Sequence, residues 1–201
     1  MRFLVRFANE RKFKPKDAKA LASSTYELVR KDGMDIGNLR VSSVAVELDL
    51  LLESRHGLES ATHALEKELG RLLTVRELDT PPPEIDEAQA IREGLEFFNE
   101  ERYWESHEAL EYAWRRASGP EKDVLQGIIL ITAALVHLQK NDGAVALSIM
   151  ARANDKLSKH RGERFGISVD NLRETLSRMI ADKQPKFFRI DVKPYSRDAA
   201  A

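Results

Sequence analysis

The chain has 201 residues, 42% hydrophobic and 32% charged, with a formal net charge of -1 and no cysteine. That length allows one domain or two small ones, and the near-neutral balance leaves no whole-molecule footprint for non-specific nucleic-acid binding. Without cysteine there are no disulfides, thiolate metal sites or cysteine nucleophiles, which fits a reducing, cytoplasmic setting.

The opening segment Met1–Phe7 is too short and too charged for a signal peptide, and no apolar run is long enough to span a bilayer. It alternates instead, as a strand does, with Phe3, Val5 and Phe7 on one face. Pro15 suits the first turn of a helix whose stripe is Ala18, Leu21, Ala22, Tyr26 and Val29, ending near Asp32-Gly33. A short strand is expected over Ile36–Val41. Another follows over Ser43–Leu51, with Val44, Val46, Leu48 and Leu50 facing one way and Ala45, Glu47 and Asp49 the other. Leu58, Ala61, Leu65 and Leu69 mark a second helix, stopped at Gly70. Leu72–Val75 gives a last strand. The order βαββαβ predicts a ferredoxin-like two-layer α/β sandwich over residues 1–80.

Pro81-Pro82-Pro83 marks the predicted boundary, because three residues with fixed φ and no amide proton continue neither a helix nor a central strand. An all-α antiparallel bundle of about five helices is expected over 84–182. Its predicted helices are Glu87–Glu100, Trp104–Ala117, Glu121–Lys140, Ala144–His160 and Ser168–Ala181. The unbroken run Ile128-Ile129-Leu130-Ile131 makes the third of these the most apolar, and hence central. Ser168 serves as N-cap of the last helix, with Asn171 at N3. Residues 183–201 form a predicted extended tail. In it Phe187-Phe188-Arg189-Ile190 can dock as an arm, while Arg197–Ala201 are expected to be loose.

The densest chemistry lies in Tyr103–Trp114. A helix there puts Tyr103, His107, Leu110 and Trp114 on one stripe and Trp104, Glu108, Glu111 and Arg115 on the next. His107 and Glu111 are four apart, so a carboxylate can orient an imidazole, as a metal ligand or a general base requires. Glu105 and Glu108, three apart, can also converge. The expectation is that the imidazole and these acids project into a shielded space. The order is not the two-histidine zinc-protease helix, since Glu111 stands where the second histidine belongs. His137 is the candidate from another helix. It shares an azimuth with Gln126 and Ala133, but about 16 Å of helix separates it from Gln126, so the two can line one groove without sharing an ion.

Phe98-Asn99, the core Tyr103-Trp104-Glu105-Ser106-His107-Glu108-Ala109-Leu110-Glu111 and Trp114 together resemble the DUF309 family. So does the second block, Leu125-Gln126-Gly127-Ile128-Ile129 with Ala133-Ala134-Leu135, His137-Leu138 and Lys140-Asn141. The resemblance covers about residues 86–160, with Ile131 larger than the pattern's residue. It implies a compact all-α bundle and carries over Trp104, His107, Glu108, Glu111, Trp114, Gln126 and His137. Proteins of the family are sometimes labelled metal-dependent hydrolases.

Two classes of function compete for these residues. In the first, the helical domain is a binding or scaffold module whose groove, lined by those seven residues, holds a small molecule or protein. In the second, it is a metal-dependent hydrolase needing a divalent cation, with His107 and Glu111 as candidate ligands and Glu108 (or His107) as the catalytic base. A third reading is weak RNA binding by the N-terminal domain. Arg2, Arg6, Arg11, Lys12, Lys14, Lys16 and Lys19 interleave there with Phe3, Phe7 and Phe13, although the sheet motif of RNA readers is missing. Self-association through strand edges or the Phe187-Phe188 tail stays open. No glycine-rich phosphate loop or nucleophile elbow is present.

Overall fold

The computed structural model describes residues 1–30, 33–80 and 85–194. The triple proline, Asp32 and the Arg197–Ala201 tail all lie outside them. The chain divides into two compact units, Met1–Pro83 with Gln139–Asn141, and Glu84–Leu138 with Asp142–Ala201.

The first unit runs β1 (Arg2–Ala8), α1 (Ala18–Val29), β2 (Asp35–Val41), β3 (Ala45–Leu51), α2 (Leu58–Leu69) and β4 (Leu72–Glu77). Its sheet order is β2-β3-β1-β4, with every neighbouring pair antiparallel, which is the ferredoxin-like arrangement. Val5 stands opposite Leu48 on β3 and Val75 on β4. Phe3, Val5 and Phe7 join Val46, Leu48, Leu50, Leu65 and Leu69 in one buried core. Removing these side chains from water is the main term holding the unit together.

Two expected core positions move outward. Tyr26 is 40% exposed, and Thr25 takes the inner place on α1, its hydroxyl donating to Leu21 O at 2.6 Å. That internal bond is what lets a polar side chain sit inside. Val44 precedes β3 and is 49% exposed. Gly70 stops α2 as expected, at φ +122°, where a Cβ would lie 2.3 Å from Ala8 O. The other face of the sheet carries charge. Arg6 Nε donates to Glu47 Oε1 at 3.1 Å, Arg2 Nε to Asp49 Oδ2 at 3.1 Å and Asn38 Nδ2 to Asp49 Oδ2 at 2.8 Å. Arg40 lies 3.5 Å from both acids.

The second unit holds α3 (Glu87–Asn99), α4 (Tyr103–Trp114), α5 (Gly119–Gln139), α6 (Gly143–Leu157) and α7 (Val169–Ala181). Asp86, Asp142 and Ser168 cap α3, α6 and α7 by accepting main-chain N–H groups of the first turn, as such residues do at helix starts. Ile128 and Ile131 are fully buried, whereas Ile129 and Leu130 pack at the core's margin. The short hairpin β5 (Glu163–Arg164) and β6 (Ile167–Ser168) was not expected, and its second strand takes in Ser168, where the last predicted helix begins. Among the described residues no helix is long and apolar enough to cross a membrane.

Candidate functional site

The site starts from how α3 meets α4. Gly94 is buried in α3, and a Cβ there would fall 2.7 Å from Leu110 Cγ. The missing side chain lets the two helices approach closely. Ser106, fully buried, donates its hydroxyl to Gly94 O at 2.6 Å. Between the helices, Glu101 takes φ +59° to reverse the chain. Arg102 then stacks over Phe97 at 4.2 Å and grips Glu105 with Nε at 2.8 Å and Nη2 at 2.6 Å.

Glu105 is 5% exposed, and both its carboxylate oxygens accept from Arg102. Glu105 holds the Arg102 guanidinium well above its ordinary pKa, chiefly through their hydrogen bonds and against the cost of burial. The motif's buried carboxylate therefore fixes the start of α4.

The imidazole and the remaining acids lie further out than the shielded space expected for them. His107 is 29% exposed, Glu111 37% exposed, and Glu108 lies on the surface. His107 Nδ1 faces the Thr132 hydroxyl of α5 at 3.4 Å, while its Nε2 lies 4.0 Å from Glu111 Oε2. The Trp104 indole stacks on the imidazole, 12° from parallel with ring centroids 6.3 Å apart. Glu111 Oε1 accepts from Arg115 at 2.9 Å. Stacking and the hydroxyl together fix the orientation of the imidazole, and its outer edge stays open to solvent.

The other candidates have separate surroundings. Lys122 Nζ sits 4.5 Å over the Trp114 ring, a cation–π contact. Gln126 is partly buried on α5. His137 is 41% exposed and lies 3.5 Å from Asp142, the residue that caps α6. The structure thus brings Trp104, His107 and Glu111 together with Thr132, a hydroxyl that the one-helix spacing argument could not find. Asn99, singled out only as part of a motif, bonds both to the N–H and to the carbonyl of Ile190. Nothing in its local spacing points to a residue 91 positions away.

Among the described residues no group of three or more His, Asp or Glu is placed to hold a metal ion. A catalytic zinc takes three protein ligands, so the donor set around His107 and Glu111 does not fit one. In the first unit the rings needed for base stacking are committed elsewhere: Phe3 and Phe7 are core residues, Phe13 packs against that core, and Arg2 and Arg6 are paired with acids.

No curated protein matches this chain. Residues 91–149, from within α3 into α6, match the family model of DUF309, a domain of unknown function, and this segment contains Trp104, His107, Glu111 and Thr132.

Proposed function

We propose that the helical unit is a binding module that presents Trp104, His107 and Glu111 on α4 to a small molecule or protein partner. The observation that carries this reading is the Trp104–His107 stack, parallel to within 12° and only partly covered. A large, partly buried ring packed beside another supplies contact area at a reduced cost in side-chain entropy. Trp is also the residue type on which binding energy concentrates. The imidazole adds a donor or acceptor whose direction is already set, and Glu111 adds negative charge 4.0 Å away. Such a patch matches a ligand with a flat apolar part beside a hydrogen-bonding or cationic group.

Hydrolysis through a bound metal is the reading this geometry supports less, because among the described residues no third ligand joins His107 and Glu111. No catalytic step is assigned to Glu108. Metal analysis of protein purified without a histidine tag, beside a His107→Ala variant, separates the two. The binding reading expects no stoichiometric divalent metal in either protein and similar thermal stability. Stoichiometric metal in the wild type that disappears from a folded His107→Ala protein would reverse the assignment.

A further inference from the structure

The first unit carries a charged surface that is independent of the α4 patch. Residues 9–19 hold five basic side chains, Arg11, Lys12, Lys14, Lys16 and Lys19, against Glu10 and Asp17. That is a net +3 in a chain whose total is -1, so the rest of the molecule carries -4. Segregated charge of this kind creates a local potential that the total conceals.

The loop between β1 and α1 has a fixed form. Asn9, 8% exposed, holds it from inside. Its Oδ1 accepts from Phe13 N–H at 2.8 Å, and its Nδ2 donates to Phe13 O at 2.9 Å and to Ser42 O at 2.8 Å. Lys12 takes φ +59°, with its N–H donating to Asn9 O at 3.2 Å. That left-handed backbone is uncommon in a residue with a Cβ. From there the side chains alternate. Lys12, Lys14 and Lys16 are exposed, while Phe13, Pro15 and Asp17 between them are partly buried. Lys19 is exposed in the first turn of α1.

Both acids of the segment are engaged elsewhere. Asp17 Oδ2 accepts from the main-chain N–H of Lys14 at 2.7 Å. Glu10 lies 3.6 Å from Arg71, which adds a further cation beside the loop. The Arg11 guanidinium donates to the main-chain carbonyl of Lys67, an uncharged acceptor. Among the described residues no carboxylate pairs with the ammonium groups of Lys12, Lys14, Lys16 or Lys19.

We infer that this loop binds the phosphodiester backbone of a nucleic acid without reading its sequence. Phosphates in series form a row of negative charge, and each one met by a lysine releases condensed counterions. Contacts to phosphate carry no sequence information of their own. Phe13, the loop's one ring, packs against the core and is not offered to bases. A lipid surface suits the loop less well. Basic segments that hold lipid flank a membrane span or lie on a helix with an apolar face to insert. Here the only ring is turned inward, and among the described residues no helix is long and apolar enough to cross a membrane.

The test titrates the full-length chain with a short fluorescent strand of uridylates. With four phosphates contacted, log affinity should fall against log salt with a slope of about -3, a loss of about 50-fold between about 50 and about 200 mM salt. Lys14→Gln/Lys16→Gln should halve that slope and weaken binding at low salt by at least about tenfold. Both side chains are exposed, so the fold should be retained, as a melting curve checks. Arg152→Gln/Lys159→Gln removes the same charge from exposed positions of the second unit and should leave binding within about twofold. A strand of adenylates should bind like the uridylates. No binding at low salt, an unchanged slope in the loop variant, or an equal loss in both variants would overturn the proposal. So would a preference above tenfold for one strand, which would mean recognition of bases. Phosphatidylserine vesicles or polyglutamate binding more tightly than the strand at equal charge would reassign the loop to a lipid or an acidic protein, and would also overturn it.

Discussion

Ser106 donates its hydroxyl to the carbonyl of Gly94 at 2.6 Å, and this bond sits at a close approach of α3 and α4. The two residues depend on each other. Gly94 permits the approach, and Ser106 satisfies itself on the carbonyl thereby reached. Gly94→Ala would drive a methyl group to 2.7 Å from Leu110 Cγ. Overpacking of this kind costs about 1–3 kcal/mol. Ser106→Ala should cost about 1 kcal/mol for the lost buried bond. Urea unfolding should show that the two changes combine non-additively, since they share one contact.

Arg102 and Glu105 form the buried ion pair at the start of α4. Arg102→Ala would remove two hydrogen bonds from the Glu105 carboxylate, and breaking such a pair from one side costs about 3–5 kcal/mol when burial is complete. Arg102 is 20% exposed, so about 3 kcal/mol is the expected loss. Replacing both residues with Met should recover most of it, because desolvation of the two charges is then no longer required. A double-mutant cycle in denaturant checks both statements.

Asp123 accepts from Lys156 at 2.7 Å and lies 3.6 Å from His160. The Lys156 hydrogen bond, helped by the charges of Lys156 and His160, holds the Asp123 carboxyl below the ordinary carboxylate range. A carboxyl depressed in the folded state contributes stability that is present above its unfolded pKa and lost as pH falls through the folded value. Asp123→Asn should therefore lower thermal stability slightly at neutral pH and leave it unchanged in strong acid. The effect will be small, because the carboxylate is 43% exposed and solvent screens the pair. Melting curves taken between neutral pH and pH 2 check the direction.

What the sequence revealed depended on the range of each interaction. Period-two alternation placed Phe3, Val5 and Phe7 correctly because one sheet face buries them all. Helical spacing identified His107 and Glu111 as neighbours because four residues span one turn. The same spacing put Tyr26 in the core and passed over Thr25, since only the bond to Leu21 O makes a buried threonine acceptable. It also could not tell that Glu105 turns toward Arg102 while Glu108 faces out. Thr132 beside His107 and Ile190 on Asn99 join segments 25 and 91 residues apart. Such pairings are set by how helices pack, which local periodicity does not encode.

The most direct measurement of the α4 patch begins with a random-peptide display library panned on the immobilised full-length chain. Each selected peptide is then titrated against wild type and a Trp104→Ala/His107→Ala variant whose melting temperature is measured in parallel. At least one class of peptides is expected to lose tenfold or more in affinity, about 1.4 kcal/mol, on a variant that remains folded. If every selected peptide bound both proteins alike, Trp104 and His107 would be surface residues of the bundle and nothing more.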